Sequence, residues 1–145
     1  MKTVREILLK KGNQVWTVSP DTTVFTALQL MAEKNTGALL VMKDDKVVGI
    51  MSERDYARKV ALLGKFSKDI LVQEIMSSTI FYVEPSFSTE ECMALMINKR
   101  VRHLPVMENE KLGGIISIGD VVKAVIDEKE FLISQLELYI KGGIG

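Results

Sequence analysis

The 145-residue sequence contains one cysteine and one histidine, and these shortages exclude several kinds of protein. A single cysteine, Cys92, cannot form an internal disulfide. Together with one histidine, His103, it cannot supply the ligands of a conventional transition-metal site, so we predict no metal. Lys and Arg number 19 and so do Asp and Glu, which leaves a net charge of zero. The sequence therefore lacks the broad basic surface that nucleic acids and anionic membranes attract, and we expect neither as a partner.

Long apolar runs are also missing, although 47% of the residues are hydrophobic. No run reaches the length that crosses a bilayer. The N-terminus, Met1-Lys2-Thr3-Val4-Arg5, carries charges where a signal peptide would have an apolar stretch. We therefore expect a globular protein that is neither exported nor inserted, located in the cytoplasm, where a reducing environment suits a free thiol.

What the sequence does contain is an internal repeat. Residues 16–60 align with residues 81–125 without a gap, and 14 of these 45 positions are identical. A shared hydrophobic pattern explains the aliphatic matches but not the matched proline, glycine, serine and aspartate. Two copies of one structural unit are therefore predicted, each preceded by a short helical turn.

Periodicity gives the order of elements within each copy. A short β-prone run ends at Pro20 or Pro85, a helix with apolar residues at i, i+3, i+4 and i+7 follows, and two strands joined by a polar turn come next. A second helix completes the order β-α-β-β-α. This order predicts a mixed α/β fold of the α+β type, in which each repeat is a three-stranded sheet covered by two helices. Because one such unit is small, we expect the two repeats to pack sheet to sheet as one pseudo-twofold module.

The second helix of each copy begins at the most informative motif of the chain. Gly49-Ile50-Met51-Ser52 is followed by Asp55, and Gly114-Ile115-Ile116-Ser117 by Asp120. A strand that leads into a helix N-terminus offers free backbone N–H groups to an anion such as phosphate. Ser-x-x-Asp before an apolar run is also an ordinary capping box, which closes those N–H groups instead. Both interpretations stand at this point.

These features together resemble a known family, the tandem CBS domain pair or Bateman module named for cystathionine β-synthase. The resemblance covers almost the whole chain. It is carried by the β-α-β-β-α order, by the doubled Gly-apolar-apolar-Ser-x-x-Asp motif, and by Leu104-Pro105-Val106 with the preceding Arg102-His103. In that family the repeats form two clefts that bind adenosyl ligands such as AMP, ADP, ATP, NAD(H) or S-adenosylmethionine. The resemblance implies such a ligand as a bound effector, with no catalytic cofactor.

The resemblance also assigns roles to residues. Each motif aspartate would hold ribose hydroxyls, each motif serine would lie near a phosphate, and the apolar residues beside them would flank the adenine. Two arginines and the histidine are candidates for the phosphate. The residues implied in this way are Val18, Ile50, Ser52, Arg54, Asp55, Val83, Arg102, His103, Pro105, Ile115, Ser117 and Asp120.

The two expected sites are not equivalent, because the phosphate candidates are not repeated. Gly119 stands where the first copy has Arg54, and Gly37-Ala38 stand where the second copy has Arg102-His103. Occupancy of one site is therefore as compatible with the sequence as occupancy of both. Without the resemblance, Arg54 is equally a solvated charge on a helix, and His103 is a hydrogen-bonded histidine at the start of a strand.

Catalysis is disfavoured by the same sequence. Neither Ser52 nor Ser117 lies in Gly-x-Ser-x-Gly, and a single histidine would have to serve two serines. The glycine-rich signatures of dinucleotide-binding and P-loop folds are absent. We therefore predict no catalytic residue, and a regulatory nucleotide-binding module that signals through its conformation to an unidentified protein. The alternative is a CBS pair that has lost its ligand and acts only in dimerisation or interaction.

Domain boundaries and assembly follow from the repeat. We expect repeat one over residues 1–68 with its N-terminal helical segment, repeat two over 69–128, and a helical extension over 129–145. Two apolar stripes lie at the chain ends, and the repeats do not account for them: Val4, Ile7 and Leu8 form one, and Leu132, Leu136, Tyr139 and Ile140 form the other. Because such stripes are seldom left in water, a homodimer is expected to cover both.

Overall fold

A computed structural model describes residues 2–144, and side-chain burial as far as residue 141. The chain folds into two compact units. The first-repeat unit comprises residues 15–80, and the second-repeat unit comprises residues 2–14 together with residues 81–144. In chain order the elements are α1 (Val4–Lys11), β1 (Thr17–Val18), α2 (Val24–Lys34), β2 (Ala38–Lys43), β3 (Lys46–Ser52), α3 (Glu53–Tyr56), α4 (Val72–Ile75), α5 (Thr89–Lys99), β4 (His103–Glu108), β5 (Lys111–Ser117) and α6 (Ile118–Ile144).

The first-repeat unit contains the predicted three-stranded sheet. Its order is β1-β2-β3, with β1 parallel to β2 and β2 antiparallel to β3. The hairpin turn is Asp44-Asp45, with φ of 52° and 63°, and the second repeat turns in the same way at Asn109-Glu110. Positive φ at both central residues is the geometry of two-residue hairpins whose twist matches the strands. The polar turns predicted from the sequence are therefore confirmed in both repeats.

The second-repeat unit departs from the prediction, because its sheet has two strands, β4 and β5. The third strand is reduced to one parallel bridge between Val83 and Val106. In the first repeat the Leu40 amide donates to the Trp16 carbonyl at 3.2 Å. The residue at the matching position is Pro105, which has no N–H to donate, so this ladder bond is missing.

The central helices α2 and α5 match the predicted periodicity. Thr23 caps α2, and Ser88 caps α5 in a capping box with Glu91. Their apolar faces are buried within their own units, through Val24, Ala27 and Met31 in α2 and through Cys92 and Met96 in α5. Burial raises the pKa of the Cys92 thiol to about 11, so this cysteine is neutral at physiological pH.

The helix after β3 is shorter than its counterpart after β5. α3 continues as a π-helical turn over Ala57–Ala61, and the helix ends before Gly64, which has a φ of 69°. In the second repeat α6 begins at Ile118, as predicted, and runs to Ile144. None of the helices within the described residues has the length and apolar composition needed to cross a membrane.

The short helices α1 and α4 each pack on the repeat they do not precede. The Val4 amide donates to Phe87 O at 2.8 Å and the Arg5 amide to Pro85 O at 3.0 Å, which ties α1 to the second repeat. The Val72 amide donates to Thr22 O at 2.8 Å, which ties α4 to the first. The compact units therefore differ from the sequence division at residues 68 and 69.

The position of α1 corrects one expectation about assembly. Val4, Ile7 and Leu8 were expected to lie in a dimer interface. They are instead at most 8% exposed and belong to the core of the second-repeat unit. The reason is that α1 packs beside β5 and α6 of its own chain, a contact more than 100 residues away in sequence. This stripe is therefore covered without a second chain.

The same packing gives the two motif glycines a structural role. A Cβ atom built on Gly114 would lie 2.8 Å from Cδ2 of Leu8 in α1, and one built on Gly49 would collide with the Met76 side chain just after α4. Each motif glycine thus lets a helical segment lie close against the returning strand.

We predict that Gly114→Ala lowers the free energy of unfolding by about 1–3 kcal/mol, because the added methyl group displaces Leu8. Gly113→Ala is the matched control, since its Cβ would meet only Val106 O at 3.7 Å, and it should change stability by less than about 0.5 kcal/mol. Urea unfolding measures both. Equal effects at the two glycines would contradict the proposed contact, as would an unchanged cost of Gly114→Ala in a Leu8→Ala background.

Candidate functional site

The first candidate site is the junction between β3 and α3. The Ser52 amide donates to Asp55 Oδ2 at 2.9 Å, and the Asp55 amide donates to Ser52 Oγ at 3.2 Å. These reciprocal bonds form a capping box that closes the start of α3. Both residues are half-buried. The box therefore holds the carboxylate in one orientation at the end of a strand.

The junction between β5 and α6 repeats this geometry. The Ser117 amide donates to Asp120 Oδ2 at 2.8 Å, and the Asp120 amide donates to Ser117 Oγ at 3.1 Å. The Ile118 amide donates to Arg102 O at 2.8 Å, as the Glu53 amide donates to Gly37 O in the first repeat. Both capping boxes predicted from the sequence are thus present, and neither excludes a ligand on the carboxylate.

Each aspartate also has a lysine that the sequence analysis missed. Lys11 Nζ lies 2.7 Å from Asp120 Oδ2, and Lys59 Nζ lies 3.4 Å from Asp55 Oδ1. Lys59 follows Asp55 by four residues on one helical face, so helical spacing could have indicated it. Lys11 is 109 residues from Asp120. No local pattern could indicate that pair, because it depends on α1 packing in the second-repeat unit.

Both lysines also donate to a backbone carbonyl, and Lys59 Nζ lies 2.8 Å from Ile75 O. Lys11 Nζ donates to Ile115 O at 2.8 Å. The matching residue of the first repeat, Ile50, instead exchanges two backbone hydrogen bonds with Ser77, at 2.9 and 3.0 Å. The Ile115 carbonyl of the second repeat therefore accepts from an ammonium group, whereas the Ile50 carbonyl of the first repeat accepts from a backbone amide.

Two side chains of the second-repeat unit, Asp120 and His103, have shifted pKa values. Burial alone would raise the pKa of Asp120, but hydrogen bonds from Lys11 and Ser117 outweigh it and hold the pKa below its usual range. The pKa of His103 is also lowered, chiefly by burial, and further by Lys11 and Arg102, while Asp120 acts in the opposite direction. Asp120 is therefore anionic and His103 largely neutral at physiological pH.

A cavity of about 210 Å³ lies beside Asp120, between α1 and α6. Its lining includes four lysines and three acidic residues: Lys2, Glu6, Lys10, Lys11, Asp120, Lys123 and Asp127. Lys10 and Lys11 are paired with Asp127 and Asp120. Because ligand pockets commonly measure roughly 300–1,000 Å³, this cavity can enclose only part of a nucleotide, such as its phosphate or its sugar.

Comparison with known proteins decides the family. The model of the CBS domain matches residues 4–62 and again residues 72–127, which together are most of the chain. The chain belongs to the CBS domain family. The resemblance inferred from the doubled motif is confirmed, and so is the α+β fold of a CBS pair.

This chain covers most of the length of two CBS-domain proteins. It is 36% identical to the mitochondrial CBS domain-containing protein CBSX3 of Arabidopsis thaliana, over 97% of this chain and 73% of that protein. A putative signal-transduction protein with CBS domains from Burkholderia ambifaria has a solved structure that is 53% identical, with a TM-score of 0.83 over 87% of this chain and 95% of that one.

A more distant CBS pair shares the fold. It was solved in complex with 5′-methylthioadenosine and S-adenosyl-L-methionine, is 18% identical, and has a TM-score of 0.76 over 88% of this chain and 98% of that one. At this identity the likeness concerns the fold alone.

The predicted site residues of the CBS pair fall into one group per unit. The first-repeat unit contains Val18, Ile50, Ser52, Arg54 and Asp55, and the second-repeat unit contains Val83, Arg102, His103, Pro105, Ile115, Ser117 and Asp120. Val83 and Pro105 are buried in the sheet core, whereas Ile50 and Ile115 are half-buried. Arg54 and Arg102 are exposed and have no side-chain hydrogen bond within residues 2–144.

Along the same residues no cluster of three or more His, Cys, Asp or Glu side chains could hold a metal.

We predict that His103 makes the stability of this CBS pair fall as the pH drops through the unfolded histidine pKa of about 6.5. Its folded pKa lies below the usual value of about 6.5, so the unfolded chain binds a proton that the folded chain resists. The free energy of unfolding should therefore decrease as the pH drops through about 6.5 towards the folded pKa. His103→Gln should flatten this dependence in urea unfolding. The same pH slope in parent and variant would show that His103 does not cause it.

Proposed function

We propose that this CBS pair is a regulatory module that binds an adenosyl ligand, either AMP, ADP, ATP, NAD(H) or S-adenosylmethionine. One observation carries the proposal: each repeat presents a half-buried carboxylate, held by its own helix cap, at the end of a strand and beside a lysine. The proposal is supported by the distant CBS pair, which was solved with 5′-methylthioadenosine and S-adenosyl-L-methionine.

The carboxylate geometry suits a ribose. The cap bond from the Ser117 amide and the bond from Lys11 both fall on Oδ2 of Asp120, and within residues 2–144 Oδ1 has no hydrogen-bond partner. A carboxylate accepts several hydrogen bonds, so it can receive ribose hydroxyls without releasing the helix. In the first repeat the same role falls to Oδ1 of Asp55, where the ion pair with Lys59 is longer.

Hydrogen-bond donors near each aspartate, most of them cationic, suit a phosphate. Lys11, Arg102 and His103 supply donors in the second-repeat unit, and Arg54 and Lys59 do so in the first. Arg54 and Arg102 are exposed, so bidentate contact with phosphate oxygens is sterically open to them. Val18, Val83, Ile50 and Ile115 are the apolar candidates for the adenine, as the family resemblance implies.

The output of the module is proposed to be regulatory and not catalytic. Its relatives are CBS-domain proteins, among them a putative signal-transduction protein. We propose that ligand occupancy changes the conformation of the chain, that a protein partner senses the change, and that this happens in the cytoplasm.

A second candidate is a CBS pair that binds no ligand and acts only in interaction. The capping geometry favours it, because Ser52-Asp55 and Ser117-Asp120 are fully explained as helix caps. The chain builds the same box at Ser88 and Glu91, where no ligand role is proposed. That third box is the control that separates the two functions.

We predict that Asp55→Ala and Asp120→Ala each weaken binding at one site by about ten- to a hundredfold, because a hydrogen-bonded charged group is worth roughly 1.5–3 kcal/mol. Each should also lower the free energy of unfolding by about 1 kcal/mol through the lost cap. Glu91→Ala should lower stability similarly and leave affinity unchanged. Calorimetric titration with AMP, ATP, NAD and S-adenosylmethionine measures affinity. If all three variants lose stability and none loses affinity, the carboxylates are caps only.

We further propose that the module is a homodimer and that α6 forms part of the interface. Phe131, Leu132, Ile133, Leu136, Leu138, Tyr139 and Ile140 are all more than half exposed on this helix. Seven large apolar side chains within ten residues form a patch of the kind that usually marks an interaction site.

A further inference from the structure

One lysine of the second-repeat unit bridges two groups to which the proposed ligand is assigned. Lys11 Nζ lies 2.7 Å from Oδ2 of Asp120, the candidate for the ribose. It also lies 2.8 Å from the carbonyl oxygen of Ile115, the candidate for the adenine. A nucleoside whose ribose reaches Asp120 and whose base lies against Ile115 must occupy the space between them. The ammonium group of Lys11 lies in that space.

The position of Lys11 results from the length of α1. Both α1 and α4 lead to a side chain that lies close to a motif glycine, but α4 has four residues and α1 has eight, the last of them Lys11. Directly after α4 the chain pairs with β3, through the two hydrogen bonds between Ile50 and Ser77. The extra turn of α1 brings a lysine to the matching strand carbonyl instead. That carbonyl is thus held by a flexible side chain and not by backbone.

The lysine of the first repeat is placed differently. Lys59 Nζ donates to Ile75 O at 2.8 Å, and its distance to Asp55 Oδ1 is 3.4 Å. It does not bond to the carbonyl of Ile50, which accepts from a backbone amide. Ala124 stands at the position of the second repeat that matches Lys59, so Lys59 and Lys11 are not equivalent residues. The bridge between carboxylate and strand carbonyl therefore belongs to the second-repeat unit.

The bridge favours ligands that give the ammonium group a new acceptor. The side chains of Lys11 and Asp120 are 34% and 24% exposed, so their ion pair is partly shielded from water. Moving the ammonium away without a new anionic partner loses a charge-assisted hydrogen bond. Uncharged adenosine offers no anionic partner, whereas a phosphate does. The cavity beside Asp120 is lined by Lys11 and can enclose a phosphoryl group.

We propose that Lys11 determines the charge of the ligand at the second-repeat site. In the ligand-free protein its ammonium group occupies the place of the nucleoside, and a phosphorylated adenosyl ligand displaces it by accepting it on phosphate oxygens. A neutral nucleoside must displace it without that compensation and therefore binds weakly. The proposal rests on the adenosyl function proposed above and narrows the ligand of this site to phosphorylated compounds.

The test compares Lys11→Met with Lys10→Met, both in the Asp55→Ala background that weakens the first-repeat site. The control removes the charge of the neighbouring residue, which lines the same cavity but pairs with Asp127 at 3.3 Å. Calorimetric titration of each protein with AMP and with adenosine gives the two affinities. Circular dichroism melting checks that each chain folds. Should Lys11→Met unfold, Lys11→Gln replaces it.

We expect Lys11→Met to bind adenosine about tenfold more tightly than the background protein, since the nucleoside no longer displaces a charge-assisted bond. AMP affinity should change by less than about threefold, because the open site offsets the lost phosphate contact. Lys10→Met should leave the affinity for adenosine unchanged.

The single histidine gives a second measurement that needs no ligand. Lys11 is one of the groups that lower the pKa of His103, after burial and together with Arg102, while Asp120 opposes them. Lys11→Met should therefore raise the His103 pKa in an NMR titration of the ligand-free protein, and Lys10→Met should not.

Each other outcome overturns a definite claim. Unchanged adenosine affinity with weaker AMP binding would make Lys11 a simple phosphate contact and refute the displacement. An equal gain for adenosine in both variants would assign the effect to the total charge of the cavity. An unchanged His103 pKa would show that the Lys11 ammonium does not lie at the site in the free protein. If neither ligand binds the parent, the proposed adenosyl function fails as well, whereas AMP binding that Lys11→Met leaves unaltered together with adenosine binding refutes the Lys11 proposal alone.

Discussion

The capping bond between a serine and the aspartate three residues later is the interaction on which both halves of the molecule depend. It ends a strand, begins a helix and fixes a carboxylate at the junction. An unpaired aspartate at this place would be mobile and would leave helix N–H groups open. Because the cap satisfies only one side of the carboxylate, the same group is structurally required and still able to accept a ligand. We therefore expect stability and the proposed ligand binding to be coupled at Asp55 and Asp120.

The repeated motif placed these junctions correctly from the sequence, since capping and strand-to-helix signals are local. The contacts of α1 and α4 could not be predicted in this way, because they join residues far apart in the chain. Lys11 was missed for that reason, and Val4, Ile7 and Leu8 were assigned to an interface when they belong to a core. Pro105 is a different case. Its missing N–H was visible in the sequence and indicates one fewer ladder bond to the first strand of the second repeat, which is reduced to a single bridge.

The two repeats have one fold but different chemistry around their aspartates. In the second-repeat unit Lys11 pairs closely with Asp120 and donates to the Ile115 carbonyl. In the first-repeat unit the Ser77 amide donates to the matching Ile50 carbonyl, and Lys59 lies further from Asp55. Two sites with the same carboxylate but different neighbouring cations are expected to differ in affinity and in their preference for charged ligands. We therefore expect the two proposed sites to be functionally unequal, although the repeats share one fold.

Calorimetric titration of the parent protein with AMP, ADP, ATP, NAD, NADH and S-adenosylmethionine, with GMP as the control, tests the central claim most directly. The account predicts saturable binding of at least one adenosyl ligand, no binding of GMP, and, where both sites fill, two unequal affinities. A dissociation constant of about 1 mM corresponds to a binding free energy of roughly −4 kcal/mol. If no adenosyl ligand binds at concentrations up to about 1 mM, the motif aspartates are helix caps and the module acts through protein contacts alone.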